Sequence, residues 1–246
     1  MMREGPATGS CGTVEQRWLT AEVMRRLGGG YAAVFGINMA SMESDEVFKW
    51  FLASLLLGSG VGDDVARRTY SGFEKLGVVS PEAVQEAGWL DLIDVLARCG
   101  CGGYGFRIAD RLVEAEGALR EKYDGDLNRL HFFAEDERDL EKRLGGLAKG
   151  IGPVTLNIFL RELRGLWEKA EPPLSESVLL AARNLGLTQA ADATTGLADL
   201  RTIWEEKGER EGRLSDFEVA LARLGRNYCR KKRCSTCPVR PECSSE

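Results

Sequence analysis

The chain has 246 residues, a formal net charge of −5 and an isoelectric point near 5.3, so any surface for nucleic acid must be local. Its one histidine, His131, excludes a histidine-rich zinc or iron site, and we expect it to have no catalytic role. The longest largely apolar run, 51–57, is too short to span a membrane, and the first residues lack the apolar core of a signal peptide. These features predict a cytoplasmic protein.

The hydrophobic pattern predicts helices nearly throughout the chain and no strand. Ser44 is expected to cap a helix whose apolar residues recur three and four positions apart as far as Leu56. Ser80 followed by Pro81 predicts a second helix start, and 215–218 has the sequence of a capping box that opens the last helix. Further helical periods cover 90–96, 108–119 and 155–167. The predicted fold class is therefore all-α.

A glycine-rich turn separates two of these helical patterns. In Gly150-Ile151-Gly152, two glycines flank one aliphatic residue, and a helix pattern follows at once. Unpaired N–H groups at a helix start, with the positive end of the helix dipole, favour a bound phosphate, and Lys149 adds a charge beside them. The alternative is an ordinary turn between helices. The residues predicted to contact a phosphate here are Lys149, Gly150, Ile151, Gly152, Val154 and Thr155.

Near the C-terminus, four cysteines lie on one short segment, in the pattern Cys229-x4-Cys234-x2-Cys237-x5-Cys243. Clustered cysteines in a reducing compartment bind metal more often than they form disulfides. The other three cysteines, Cys11, Cys99 and Cys101, are expected to be ordinary core or loop residues. The segment is also strongly cationic, which predicts contact with a polyanion such as a nucleic-acid backbone. The residues predicted to make this contact are Arg230, Lys231, Lys232 and Arg233.

Together, the glycine turn and the cysteine segment resemble the helix-hairpin-helix DNA glycosylase superfamily, in particular its iron–sulfur branch with endonuclease III and the adenine mismatch glycosylases. The resemblance spans 44–243 and implies a two-lobed all-α fold. Residues 44–152 would form a helical barrel-like lobe that ends in the helix-hairpin-helix. Residues 1–43 and 153–246 would form a cluster lobe, with the iron–sulfur loop at 229–243. The implied partner is double-stranded DNA at the nucleoid, bound by a monomer, with a flipped base between the lobes.

The resemblance implies a [4Fe–4S] cluster on Cys229, Cys234, Cys237 and Cys243. This chain departs from the family, because four residues separate its first two cysteines where six are common. A [2Fe–2S] cluster shares the spacing of the first three cysteines but places the fourth much farther away. Zinc held by the same four thiolates is the remaining alternative, although zinc modules usually have two C-x2-C pairs.

The catalytic residues of the family are altered in this chain. The lysine that forms a Schiff base in bifunctional members lies two residues after the second hairpin glycine, where this chain has Val154. The carboxylate that stabilises the oxocarbenium-like transition state corresponds to Glu171 when counted forward from the hairpin. Counted backward from the next helix end, the same position is Ser175, a helix N-cap with Glu176 beside it. Glu171 is therefore the first catalytic candidate and Glu176 the second.

Family members often fill the gap left by the flipped base with a glutamine, and the corresponding position here is Gly60. The aromatic rings of Tyr104 or Phe106 are candidates to replace it by stacking, unless both rings only pack against neighbouring helices.

Two functions follow from the resemblance. The first is a monofunctional DNA glycosylase of base-excision repair that removes a damaged or mismatched base without lysine-based lyase activity. The second is a catalytically inactive iron–sulfur module that recognises damaged or distorted DNA. An electron carrier is a weaker third reading, because it needs neither the hairpin nor the basic segment.

Overall fold

The computed structural model describes residues 11–207 and 212–243, and within these ranges it contains α-helices but no strand. The prediction of an all-α fold is therefore confirmed for this part of the chain. In chain order the described α-helices are α1 (Cys11–Leu27), α2 (Tyr31–Val34), α3 (Ser44–Gly58), α4 (Asp63–Lys75), α5 (Pro81–Arg98), α6 (Gly105–Tyr123), α7 (Leu127–Phe133), α8 (Glu137–Gly145), α9 (Pro153–Leu163), α10 (Glu176–Asn184), α11 (Ala193–Lys207) and α12 (Leu214–Leu224). None of them combines the length and the apolar character that crossing a membrane requires.

The chain divides into two compact units. One comprises 31–172 and is called the hairpin unit here. The described part of the other comprises 11–30, 173–207 and 212–243, and is called the cysteine unit. The barrel-like lobe expected from the sequence ran from 44 to 152, whereas the hairpin unit also includes 31–43 and 153–172.

Packing of α9 on α3 explains why the segment that begins at 153 belongs to the hairpin unit. Trp50 and Phe51 of α3 are almost completely buried, and the Trp50 indole donates to the carbonyl of Phe159, 3.0 Å away. The rings of Phe51 and Phe159 meet edge to face at 5.4 Å. Burying an aromatic side chain contributes roughly 1.5–3 kcal/mol, so α9 is held to the helix bundle that precedes it.

In the cysteine unit, α12 is the central helix and packs against α1 and α10. Phe217 and Leu221 of α12 are fully buried, as are Val178 of α10 and Val23 of α1. Trp204 of α11 stacks on Phe217 with ring centroids 5.6 Å apart. This small core supports the segment that carries the cysteines.

Helix starts agree with the sequence patterns in part. Ser80 caps α5 as expected, since its hydroxyl accepts from the backbone N–H of Ala83. The helix expected after a Ser44 cap begins at Ser44 itself, because Glu43 is the residue in the extended N-cap conformation. The last long helix begins two residues early, at Leu214, because its N-cap is Arg213 and not Ser215; Asp216 accepts from the backbone N–H of Arg213.

Candidate nucleic-acid interface and cysteine loop

The glycine turn forms a tight connection between α8 and α9. Gly150 has φ +94°, in the left-handed region that side chains rarely adopt. Ile151 is buried and anchors the turn in the core, while Gly152 is the N-cap of α9 and Pro153 is its first residue. No side chain caps this described helix start, so its first N–H groups remain available to a ligand.

A cavity of about 230 Å³ opens beside this turn, and we call it the hairpin pocket. Its walls come from three segments that are far apart in sequence but lie in the same unit. The lining residues are Gly58, Ser59, Tyr104, Arg107, Ile108, Arg111, Gly150, Gly152, Pro153, Val154 and Thr155. No acidic side chain is among these lining residues, so the pocket is cationic.

Two arginines of α6 supply this positive charge. The guanidinium of Arg111 packs on the turn, with its Nε and Nη2 atoms 2.7 Å from where a Cβ on Gly150 would stand. Arg111 has no hydrogen bond or ion pair within residues 11–207 and 212–243, and the Arg107 guanidinium lies 5.2 Å above the Tyr104 ring. An unpaired, half-buried arginine beside free backbone N–H groups is well suited to an anion.

The residues predicted to contact DNA are placed differently from one another. Gly150, Gly152, Val154 and Thr155 line the hairpin pocket. Val154 is 65% exposed and apolar, whereas the Thr155 side chain is buried against Gly58, so close that a side chain on Gly58 would collide with it.

Two further hairpin residues do not line the pocket. Ile151 is buried and has a structural role. Lys149 is exposed, and its backbone N–H donates to Glu114 at 2.9 Å.

Arg107 and Arg111 were not among the residues that the sequence singled out. Their spacing of four residues on α6 places both on one helix face, which is a detectable signal. What the sequence does not reveal is that this face lies against the glycine turn, since that depends on tertiary packing.

The two aromatic candidates separate in the structure. Tyr104 lines the hairpin pocket, and a Cβ added at Gly60 would stand 3.7 Å from its ring. Tyr104 therefore lies beside Gly60, the position for which it was the expected replacement. Phe106 instead stacks on Trp89 with ring centroids 5.9 Å apart.

Glu171, the first catalytic candidate, is bound to a buried arginine. Its carboxylate lies 2.5 Å from Nη1 of Arg164, whose side chain is 3% exposed against 29% for Glu171. Arg164 also donates to the carbonyl of Pro172 at 2.6 Å. This pair fixes the end of the segment that follows α9, and the Glu171 side chain is partly exposed.

The second candidate lies in the first turn of α10. Ser175 is the N-cap of α10, and its hydroxyl accepts from the backbone N–H of Val178 at 3.4 Å. Glu176 is exposed in the first turn, where a carboxylate also favours the helix dipole. The N-cap role expected for Ser175 is therefore present.

The cysteine segment leaves α12 through a π-helical turn, Gly225–Cys229, and continues as coil with two short 3₁₀ turns. Each of its cysteines is half-buried and free of disulfides, and Cys229, Cys237 and Cys243 pack on the core of the cysteine unit. Burial raises the pKa of the Cys229 thiol, a hydrogen bond with Asn184 lowers it, and the charges of the other three cysteines raise it further. The other three cysteines are therefore near the Cys229 thiol.

Within the ranges that the structure describes, no three His, Cys, Asp or Glu side chains approach closely enough to hold a single metal ion. A cluster is larger than one ion and needs its thiolates farther apart. Four cysteines on one segment without disulfides, three of them close enough to Cys229 to raise the pKa of its thiol, are a donor set that fits a cysteine-ligated group.

Backbone contacts hold this segment against the rest of the cysteine unit. Arg26 of α1 donates to the carbonyl of Pro238 at 2.6 Å, and the Cys243 thiol lies 3.5 Å from the carbonyl of Asn184. Gly225 touches the backbone of Ser177 so closely that a Cβ there would overlap the Ser177 carbonyl. The start of the segment is thus fixed by packing on α10.

The four cationic residues of the segment, Arg230, Lys231, Lys232 and Arg233, are called the basic segment here. All of them are exposed, and none makes a side-chain hydrogen bond or ion pair to another described residue. The basic segment therefore presents four uncompensated charges to solvent.

The remaining residues expected to be structural are consistent with that role. His131 is partly buried and stacks on Trp167 with centroids 4.7 Å apart, and burial lowers the pKa of its imidazole, as does the charge of Lys169. Cys101 is buried and Cys99 is half-buried, whereas the side chain of Cys11 lies outside the described part of the structure.

No protein-family model matches this chain, and no curated protein matches it in sequence.

Proposed function

We propose that this chain is a double-stranded-DNA-binding repair protein of the endonuclease III type, and that the hairpin pocket binds a phosphate of the DNA backbone. The single observation that carries this proposal is the pairing of Arg107 and Arg111 with the glycine turn at the uncapped start of α9. In a duplex, the anion that such a site binds is a backbone phosphate, because the N–H groups and the guanidinium can both donate hydrogen bonds to its oxygens.

The basic segment supplies a second, separate contact with DNA. Its four exposed charges have no described partner, so binding a polyanion releases counterions without breaking ion pairs. Cys229, Cys234, Cys237 and Cys243 would hold the cofactor, for which we propose a [4Fe–4S] cluster, with zinc and [2Fe–2S] as the alternatives. When bound, this group would cross-link the coil from 229 to 243 and hold the basic segment in one conformation.

The proposed activity is removal of a damaged or mismatched base by a monofunctional DNA N-glycosylase. Val154 has no amine, so the chain lacks a nucleophile for Schiff-base chemistry at this position. Glu171 is the carboxylate we assign to stabilising positive charge on the sugar, because its side chain is partly exposed and is held in place by Arg164.

A second function, DNA recognition without catalysis, is favoured by one observation. Ser175 uses its hydroxyl to cap α10, which is the role it would have if the family carboxylate were missing from this chain. In that case the Glu171–Arg164 pair only fixes the chain after α9.

The decisive experiment is a screen of duplexes with single modified or mismatched bases for release of free base. Glycosylase activity predicts release by the wild-type chain, its loss in Glu171→Gln, and little change in DNA affinity. Glu168→Gln is the matched control, because Glu168 is an exposed carboxylate of the same unit. Duplex binding without any base release would favour the non-catalytic function, and absence of duplex binding would refute both.

A further inference from the structure

The hairpin pocket carries more positive charge than one phosphate of an intact strand neutralises. Arg107 and Arg111 both line it, and neither guanidinium has a hydrogen bond or ion pair within 11–207 and 212–243. The Glu114 carboxylate accepts from the backbone N–H of Lys149 in the turn, but Glu114 is not a lining residue. An internal phosphate of DNA is a diester with one negative charge, whereas two arginines carry two positive charges. A bound diester would therefore leave one of these charges without a partner.

The size of the pocket makes both charges act on one group. Its volume of about 230 Å³ equals that of roughly eight water molecules. This space accommodates one phosphate group, but not two successive phosphates of a strand with the sugar between them. Arg107 and Arg111 lie one helical turn apart on α6, so we assign both to the same phosphate.

A buried hydroxyl in the pocket wall adds another hydrogen-bond donor. Thr155 is 3% exposed and lines the pocket, yet its side chain makes no hydrogen bond to another described residue. The backbone N–H groups of Val154 and Thr155 also have no partner among the described residues, because they lie in the uncapped first turn of α9. Donors thus come from α6, from the α9 backbone and from one hydroxyl. Three groups of donors match the three terminal oxygens of a phosphate monoester better than the two of a diester.

We propose that the hairpin pocket preferentially binds a terminal phosphate monoester of DNA, so that the protein recognises strand breaks that end in a phosphate. A monoester carries a charge of about −1.5 to −2 at pH 7, against −1 for an internal diester. Its additional charge pairs with the second guanidinium, and its third terminal oxygen accepts from the remaining donors. This inference rests on the proposed function, because it specifies which phosphate of the DNA the pocket holds.

Nicked duplexes with different ends test this preference in fluorescence anisotropy titrations of the full chain. The probes are an intact duplex, the same duplex with a nick that has hydroxyls on both sides, and two nicks with a single 5′- or 3′-phosphate. Wild-type protein is expected to bind at least one phosphate-ended nick about tenfold more tightly than the hydroxyl nick. The hydroxyl nick controls for the flexibility that any break gives to a duplex.

Variants assign this preference to the pocket. Arg107→Gln leaves one guanidinium, which matches the charge of a diester, so the preference should fall to about twofold or less. Thr155→Val removes the hydroxyl at nearly constant shape and should reduce the preference about fivefold. Arg98→Gln is the matched control, because Arg98 pairs with Asp94 and does not line the pocket. Circular dichroism and thermal melting verify that each variant is folded.

The pH dependence of binding identifies the charge state of the bound phosphate. A monoester loses its second charge below about pH 6, and the pocket lining contains no histidine, carboxylate or thiol. Lowering the pH from about 7.5 to about 5.5 should therefore reduce the preference for the phosphate-ended nick about threefold. The hydroxyl nick, measured at each pH, is the reference.

The outcomes distinguish this inference from the proposed function. Equal affinity for the hydroxyl and phosphate nicks, with tight binding of the intact duplex, overturns the inference alone. A preference that persists in Arg107→Gln, or that does not change with pH, places recognition outside the pocket and also overturns it. Displacement of the nicked duplex by thymidine 5′-monophosphate at equal concentration would make a free nucleotide the ligand, which overturns recognition of a strand break. No binding to any duplex overturns the proposed function and this inference together.

Discussion

Replacing Arg111 with glutamine tests the hairpin pocket most directly. The substitution keeps a polar side chain, although a shorter one, and removes the charge that lies against Gly150. A hydrogen bond from a charged group contributes roughly 1.5–3 kcal/mol. Because Arg111 has no carboxylate partner in the described part of the chain, this free energy is available to a ligand. We therefore expect duplex affinity to fall about 10- to 150-fold.

The salt dependence of binding gives a second measure of the same contact. Loss of one phosphate contact should reduce the slope of log K against log salt concentration by about 0.9. Anisotropy titrations of a short duplex at several salt concentrations provide both values. Arg98→Gln is the matched control, since Arg98 pairs with Asp94 at 2.8 Å and does not line the pocket. Equal affinity and an equal slope in Arg111→Gln and Arg98→Gln would refute phosphate binding at this pocket.

Three further predictions concern the packing of Gly225, the basic segment and the chemistry at Val154. Gly225→Ala should lower the free energy of unfolding by about 1–3 kcal/mol, because the new methyl group overlaps the backbone of Ser177. In urea denaturation, Gly117→Ala should not destabilise the chain, since no atom lies within 4 Å of its added Cβ; equal losses in both variants would contradict the packing argument. Alanine at all positions of the basic segment should reduce the salt slope by up to about 0.9 per residue, and an unaltered slope would exclude DNA contact there. Borohydride should trap no covalent protein–DNA adduct, because Val154 lacks an amine, and a strong adduct in gel electrophoresis would show that another amine acts.

Local features were predictable from the sequence because their physical causes are local. The helical class followed from hydrophobic spacing, and the turn at Gly150 followed from the conformations that only glycine adopts easily. The prediction that Ser80 caps α5 was also correct, because a serine directly before a proline strongly favours the N-cap position of a helix.

Features that depend on tertiary packing were harder to predict. The helix expected over 155–167 ends at Leu163, where Arg164 leaves the helical conformation and buries its guanidinium beside Glu171. Neither the charge of the hairpin pocket nor the membership of α9 in the hairpin unit is encoded near the glycine turn. Both arise because distant helices pack against it.

The first residue of α3 was also predicted incorrectly from the sequence, by one position. A helix can begin at its serine or one residue later, and neighbouring backbone conformation decides between them. The boundary moved by one residue while the buried face of α3 stayed as the pattern predicted.

The contact between Gly58 and Thr155 has a consequence for engineering this protein. The end of α3 positions the glycine turn, and α6 supplies the positive charge beside it. Neither property therefore belongs to the residues of the turn alone. A peptide containing only 137–163, or a graft of those residues onto an unrelated scaffold, would carry the motif but not the guanidinium groups beside it.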